Sequence, residues 1–155
     1  MSETGDTRAA FIETFGRFTA AEGLTPIAGR IFGLLYYDGA TLALADLAAE
    51  LAISKASAST NARQLAELGL IEQVRVDGDR RDFYRASEAP FLNMINGMQD
   101  RMTAMIAFVA HVRTAQHDAA RIERLSEFID FHTRLTQVIR MFAEHESPNS
   151  DRNRP

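Results

Sequence analysis

Between Leu44 and Ala86 the apolar pattern changes from helical spacing to strict alternation, and the punctuation between the pieces leaves few folds open. A short helical stripe (Leu44, Leu47, Ala48, Leu51) runs into a tight corner at Ala52-Ile53. A second helix opens at Ser54, reads SKASASTNARQLAEL and stops at Gly69. Two short strands follow, LIEQVRV and DFYRA, joined by Asp77-Gly78-Asp79-Arg80-Arg81. Helix, corner, helix and hairpin in this order predict a winged helix-turn-helix.

The flanks read as helices. Phe11, Phe15 and Phe18 fall at i, i+4 and i+7 between Thr7 and Ala21, and Gly23 punctuates the segment. Thr25 has the chemistry of an N-cap with Pro26 at the first helical position. The helix it opens is apolar nearly all round (Ile27, Ile31, Phe32, Leu34, Leu35, Tyr36), which makes it central, and Asp38-Gly39 ends it. Thr41 and Leu42 allow a stub of strand before the helix-turn-helix. Its first helix has Ala43 at the cap, which costs about 1 kcal/mol relative to Ser or Thr.

From Glu88 to about Ala143 two long helices are expected. Phe91, Ile95, Met98, Met102, Met105, Val109 and Val112 recur at spacings of three and four. After a break at Thr114 to His117, Ile122, Leu125, Ile129, His132, Leu135, Ile139 and Phe142 approximate a heptad seam. Such long helices outrun what one small domain can cover. The expected organisation is therefore an N-terminal dimerisation helix (1–24), a winged helix-turn-helix (25–87), C-terminal dimerisation helices (88–145) and a polar, disordered tail (146–155). The fold class is mainly α with a small β-wing, and a homodimer is the expected state.

On a helical wheel, Ala58, Ala62 and Leu65 face the core with Asn61 and Leu68 at the margins. The opposite face of the second helix shows Ala56, Thr60, Arg63 and Glu67, flanked by Ser57, Ser59 and Gln64. Small side chains at the leading end let a helix sink into a DNA major groove about 12 Å wide. Ser54 caps it, and the free N–H groups beside Lys55, the only lysine of the chain, favour phosphate. Arg80 and Arg81 project near the hairpin tip, where arginine suits a narrow, electronegative minor groove. The bland alternative is a solvated turn whose charges pair among themselves, Asp79 or Asp82 with Arg81. Both readings hold together if one arginine is held by an aspartate and the other is left for DNA. Ser54, Lys55, Ala56, Ser57, Ser59, Thr60, Arg63, Gln64, Arg80 and Arg81 are thus the expected DNA-contacting set.

Charge permits this reading without demanding it. The net charge of −4 is unevenly spread. Ser54 to Arg85 holds six basic residues (Lys55, Arg63, Arg75, Arg80, Arg81, Arg85) against five acidic ones (Glu67, Glu72, Asp77, Asp79, Asp82), and the remainder holds 11 basic and 16 acidic. The competing reading, prompted by the acidic balance, is a winged-helix module that binds protein and not DNA.

Other functions find no support. Cysteine is absent, which excludes disulfides, thiolate metal sites and thiol-based sensing. His111, His117, His132 and His145 are scattered without ligand spacing, so no metal is expected. No nucleophile–base pair or cofactor loop is visible, so neither an enzyme nor a cofactor is expected. Gly29 and Gly33, four apart, suit close helix packing. Phe15, Phe18, Phe32 and Tyr36, with Tyr37, read first as core packing and second as an effector pocket or cation cage. The N-terminus lacks a signal-peptide pattern and no apolar run approaches the ~18 residues of a membrane span, so a soluble, cytoplasmic protein is expected.

Taken together, Leu47 to Ser59, the Leu65…Leu68-Gly69-Leu70 end of the second helix and Gly78-Asp79-Arg80-Arg81-Asp82-Phe83-Tyr84 resemble the GbsR branch of the MarR-type regulators. The upstream run from Gly23 to Leu35 resembles the helix that precedes the reading head in that branch. The resemblance spans Phe11 to Arg85. It implies a homodimer with intertwined terminal helices that presents two winged helices to a palindromic site on double-stranded DNA. It also implies a repressor, released by a small effector, some relatives responding to choline. Ala52 departs from the pattern, standing where glycine is frequent, and the helices after Glu88 match in pattern only.

Overall fold

The computed structural model describes Glu3 to Glu146, with side chains from Asp6 onward. The described residues form two compact units divided between Pro90 and Phe91. The tail expected over 146–155 falls beyond them except for Glu146, which is helical.

The first unit runs α1 (Glu3–Ala21), α2 (Pro26–Asp38), β1 (Leu42–Ala43), α3 (Leu44–Glu50), α4 (Lys55–Glu67), β2 (Ile71–Val76) and β3 (Asp79–Ala86). α2 lies at its centre, as a sequence apolar nearly all round predicts: Ile31, Leu34 and Leu35 are fully buried and Phe32 nearly so. Around them Ile12, Leu47, Leu51, Ala62, Leu65, Leu70, Ile71 and Tyr84 complete one core. Thr25 caps α2 through its hydroxyl, which accepts the Ala28 N–H at 3.0 Å, with Pro26 at the first helical position. Ala43 leaves α3 without a side-chain cap.

α1 packs on α2 in the same unit as the winged helix, at backbone contact. A Cβ on Gly29 would lie 1.8 Å from Thr19 Oγ1 and 2.8 Å from Gly16 Cα. Thr19 cannot swing aside without breaking its bonds to the Phe15 and Gly16 carbonyls. Arginines tie the edges. Arg8 grips Asp38 through two nitrogens and reaches Glu50 at 3.0 Å. Arg30 pairs with Glu13 at 2.7 Å and donates to the Leu51 carbonyl at the end of α3.

The sheet has three strands in the order β1-β3-β2, all antiparallel, with the stub Leu42–Ala43 pairing to Tyr84 and Phe83. The hairpin is tighter than the sequence suggests. Its connection is the two residues Asp77-Gly78, with Gly78 at φ +81°, and β3 already begins at Asp79. The register runs Val74↔Phe83 and then Val76↔Asp79, so Arg80, Arg81 and Asp82 stand opposite Arg75 alone. The arginines therefore occupy a bulge in the returning strand, not a five-residue loop.

The second unit consists of α5 (Pro90–Thr114) and α6 (Ala119–Glu146), and Arg113 near the end of α5 donates to Ser126 Oγ of α6 at 3.1 Å. Its helices bury little. Among its described side chains beyond Pro90 only Thr136 and Ala143 are buried, whereas Met105, Phe108, Phe131, Val138, Met141 and Phe142 are at least half exposed.

Candidate nucleic-acid interface

The geometry of α4 starts at the corner before it. Ala52 takes φ +50°, the left-handed region that an alanine enters at a cost of roughly 1 kcal/mol. The same turn brings the Ile53 N–H back to the Ala48 carbonyl at 2.9 Å and closes α3. Ser54 then caps α4, accepting the Ser57 N–H at 3.1 Å. At the far end Gly69, at φ +72°, lets the Leu70 N–H bond the Leu65 carbonyl and turns the chain into β2.

Between those ends α4 presents the faces the wheel predicts. Ala58, Ala62 and Leu65 are fully buried. Ser54, Lys55, Ala56, Thr60 and Arg63 are exposed, and Ser57, Ser59 and Gln64 flank them half-buried. Asn61 is not marginal. It is 7% exposed, donates Nδ2–H to the Ser57 carbonyl at 2.8 Å and accepts the Thr25 hydroxyl proton at Oδ1.

In the wing the two neighbouring arginines have opposite fates. Arg81 binds Asp79 through Nε and Nη2 at 2.9 and 2.8 Å, lies 3.5 Å from Asp46 of α3, and has its guanidinium 5.1 Å from the Phe83 ring centre. The Arg81 hydrogen bond holds the Asp79 carboxyl below the usual carboxylate range. Asp82, the other partner the sequence offered, instead accepts from Gln73 Nε2 at 2.6 Å. Arg85 pairs across the ladder with Glu72. Arg80 is exposed and has no hydrogen bond or ion pair. The same is true, among the described residues, of Lys55, Arg63 and Arg75. Arg63 of α4 lies within electrostatic reach of Tyr84 on β3, whose phenol is pushed up chiefly by burial.

Two features around the wing depend on more than local pattern. Asp46 steadies Arg81 from 35 positions away, a separation that no local pattern encodes. Arg75 was visible as the outward member of Val74-Arg75-Val76, but its place opposite the bulge depends on strand register.

The aromatic set divides. Phe15 and Phe18 line an open groove of about 520 Å³ along α1, together with Thr7, Ala10, Phe11 and Thr14. Phe32 lies 2% exposed in the core, in ring contact with Phe15 and Tyr36, so it packs and does not face the groove. Tyr36 is exposed at the edge. Among the described residues no His, Cys, Asp and Glu cluster could hold a metal, and no helix is long and apolar enough to cross a membrane.

A capped helix with small outward side chains, set beside a wing that carries one clamped and one unpaired arginine, defines a winged helix-turn-helix transcriptional regulator. The chain belongs to the MarR family, whose model matches residues 22–82. It is 38% identical over 135 residues to the HTH-type transcriptional regulator MmpR5 of Mycobacterium tuberculosis, covering 83% of this chain and 80% of that protein. The crystal structure of a transcriptional regulator, 30% identical, superimposes over 91% of this chain and 98% of that one with a TM-score of 0.83. Proteins of this family bind DNA and are not enzymes, which sets the protein-only module aside.

Proposed function

We propose that the protein is a cytoplasmic, homodimeric repressor of the GbsR branch, released from a palindromic operator by a small-molecule effector. The observation that carries the DNA-reading geometry is the unpaired state of Lys55, Arg63 and Arg80 beside a clamped Arg81. Cations that the protein leaves without anions of its own are available to phosphates and base edges. In this reading Ser54 and Lys55 sit on phosphate at the head of α4. Ala56, Ser57, Ser59 and Thr60 line the major groove, with Arg63 and Gln64 reaching its base edges. Arg80 enters the adjacent minor groove. Arg81 holds the wing at the angle Arg80 needs. Two such heads dock about one helical turn, ~10 bp, apart.

The exposed apolar side chains of α5 and α6 support dimerisation, since a patch of that extent rarely stays in water. For the effector, Phe15 and Phe18 offer an apolar groove along α1, with Phe32 packed behind Phe15 in the core and Tyr36 stacked on Phe32. The test is fluorescence anisotropy with a promoter fragment from the gene's own neighbourhood across a salt series. A homodimer touching six to ten phosphates gives a slope of about −0.9 log units per phosphate. A flat salt dependence would refute this docking.

A further inference from the structure

Among the described residues three polar side chains are buried, Thr19, Asn61 and Thr136, and only Asn61 belongs to the reading helix. It faces inward between Thr60 and Arg63, where the neighbouring buried positions are Ala58, Ala62 and Leu65. A buried amide is costly unless its bonds are made, and here they form a directional chain. The Thr25 hydroxyl has one proton. Its oxygen accepts the Ala28 N–H as the cap of α2, and its proton goes to Asn61 Oδ1. With Oδ1 committed, Asn61 Nδ2 turns to the Ser57 carbonyl at 2.8 Å and lies 3.5 Å from Ser57 Oγ.

We propose that Thr25 and Asn61 are positioning residues for sequence readout, a polar key that sets the rotation of α4 about its own axis. The proposal rests on the DNA-reading role of α4 given above. The buried apolar side chains of α4, Ala58, Ala62 and Leu65, make non-directional contacts with the core, which resist a small roll only weakly. A hydrogen bond does not, because it weakens steeply as it bends. Side-chain tips lie about 5–6 Å from a helix axis, so a roll of about 20° moves Thr60 and Arg63 by roughly 2 Å. That is enough to lose a base-edge bond, while flexible basic side chains still find phosphates. Loss of the key therefore costs discrimination before it costs general affinity.

Two substitutions separate the key from the cap and from folding. Thr25→Asp keeps an oxygen acceptor for the cap but has no proton to give Asn61 at neutral pH. Thr25 is exposed, so the new carboxylate stays hydrated. Asn61→Ala removes the key from the other side and leaves Thr25 capping. Thr25→Ser retains both bonds. The full-length variants are titrated against the duplex that the wild type enriches from a random library, and against a scrambled duplex of equal length. Thr25→Asp and Asn61→Ala should each lose at least tenfold on the enriched duplex and less than threefold on the scrambled one, at unchanged salt slope. Thr25→Ser should match the wild type on both. Equal losses on the two duplexes, or none, would overturn the key while leaving the docking intact. A wild type that enriches no sequence would sink both.

Discussion

Ala52 carries the clearest strain in the chain, the one non-glycine residue with a positive φ among those described. Replacing it with glycine removes the steric penalty but loosens the unfolded chain. Ala52→Gly is expected to stabilise the fold by up to ~1 kcal/mol, read as a rise of about 2–4 °C in thermal melting. An unchanged or lower midpoint would show that the corner is not strained. At the wing, Arg80→Ala should lower DNA affinity on the order of tenfold and reduce the salt slope by about one, with no change in melting. Arg81→Ala should also weaken binding, by undoing the Asp79 clamp within the wing and releasing the wing from Asp46 of α3, but with little change in slope. Its clamp is insensitive to ordinary acidity. The Asp79 carboxyl is depressed by Arg81, so the clamp's contribution is complete above the unfolded carboxylate value near 4 and fades only as pH falls through the lower folded one.

At the scale of elements, backbone contact between α1 and α2 makes Gly29 irreplaceable. Gly29→Ala forces the helices apart and should cost about 1–3 kcal/mol or more. Thr19→Ala in the same chain should restore part of the loss, because it removes the nearest clashing atom. Additive melting shifts would mean that the contact is elsewhere. The elements legible in sequence were those whose ends are written in local chemistry: Thr25-Pro26 opening α2, Ser54 opening α4, Gly69 closing it, and Asp77-Gly78 turning the hairpin. Gly29 and Gly33 were read as packing glycines and are. What stayed hidden depends on partners distant in sequence. The bulge at Arg80 to Asp82 follows from cross-strand register and from Asp46. Asn61 looked marginal because a wheel cannot show that Thr25 waits beside it. Phe32 reads first as core packing and lies in the core, but periodicity could not say that Phe15 and Tyr36 are the rings against it.

For the whole molecule, the decisive quantity is the apolar surface that α5 and α6 leave open. Phe131, Leu135, Val138 and Phe142 recur at spacings of four and three, and all are exposed. This is the pattern of a helical seam. Val138→Asp is expected to halve the mass seen by light scattering at micromolar concentration and to abolish operator binding, leaving the first unit folded by circular dichroism. A wild type that sediments as a single chain would remove the seam's purpose. If a second copy supplies that cover, a lone polypeptide is an unfinished object that leaves the outer faces of α5 and α6 in water. At low abundance the number of competent repressors then grows with the square of the number of chains synthesised. A cell making half as much would silence its target about four times less.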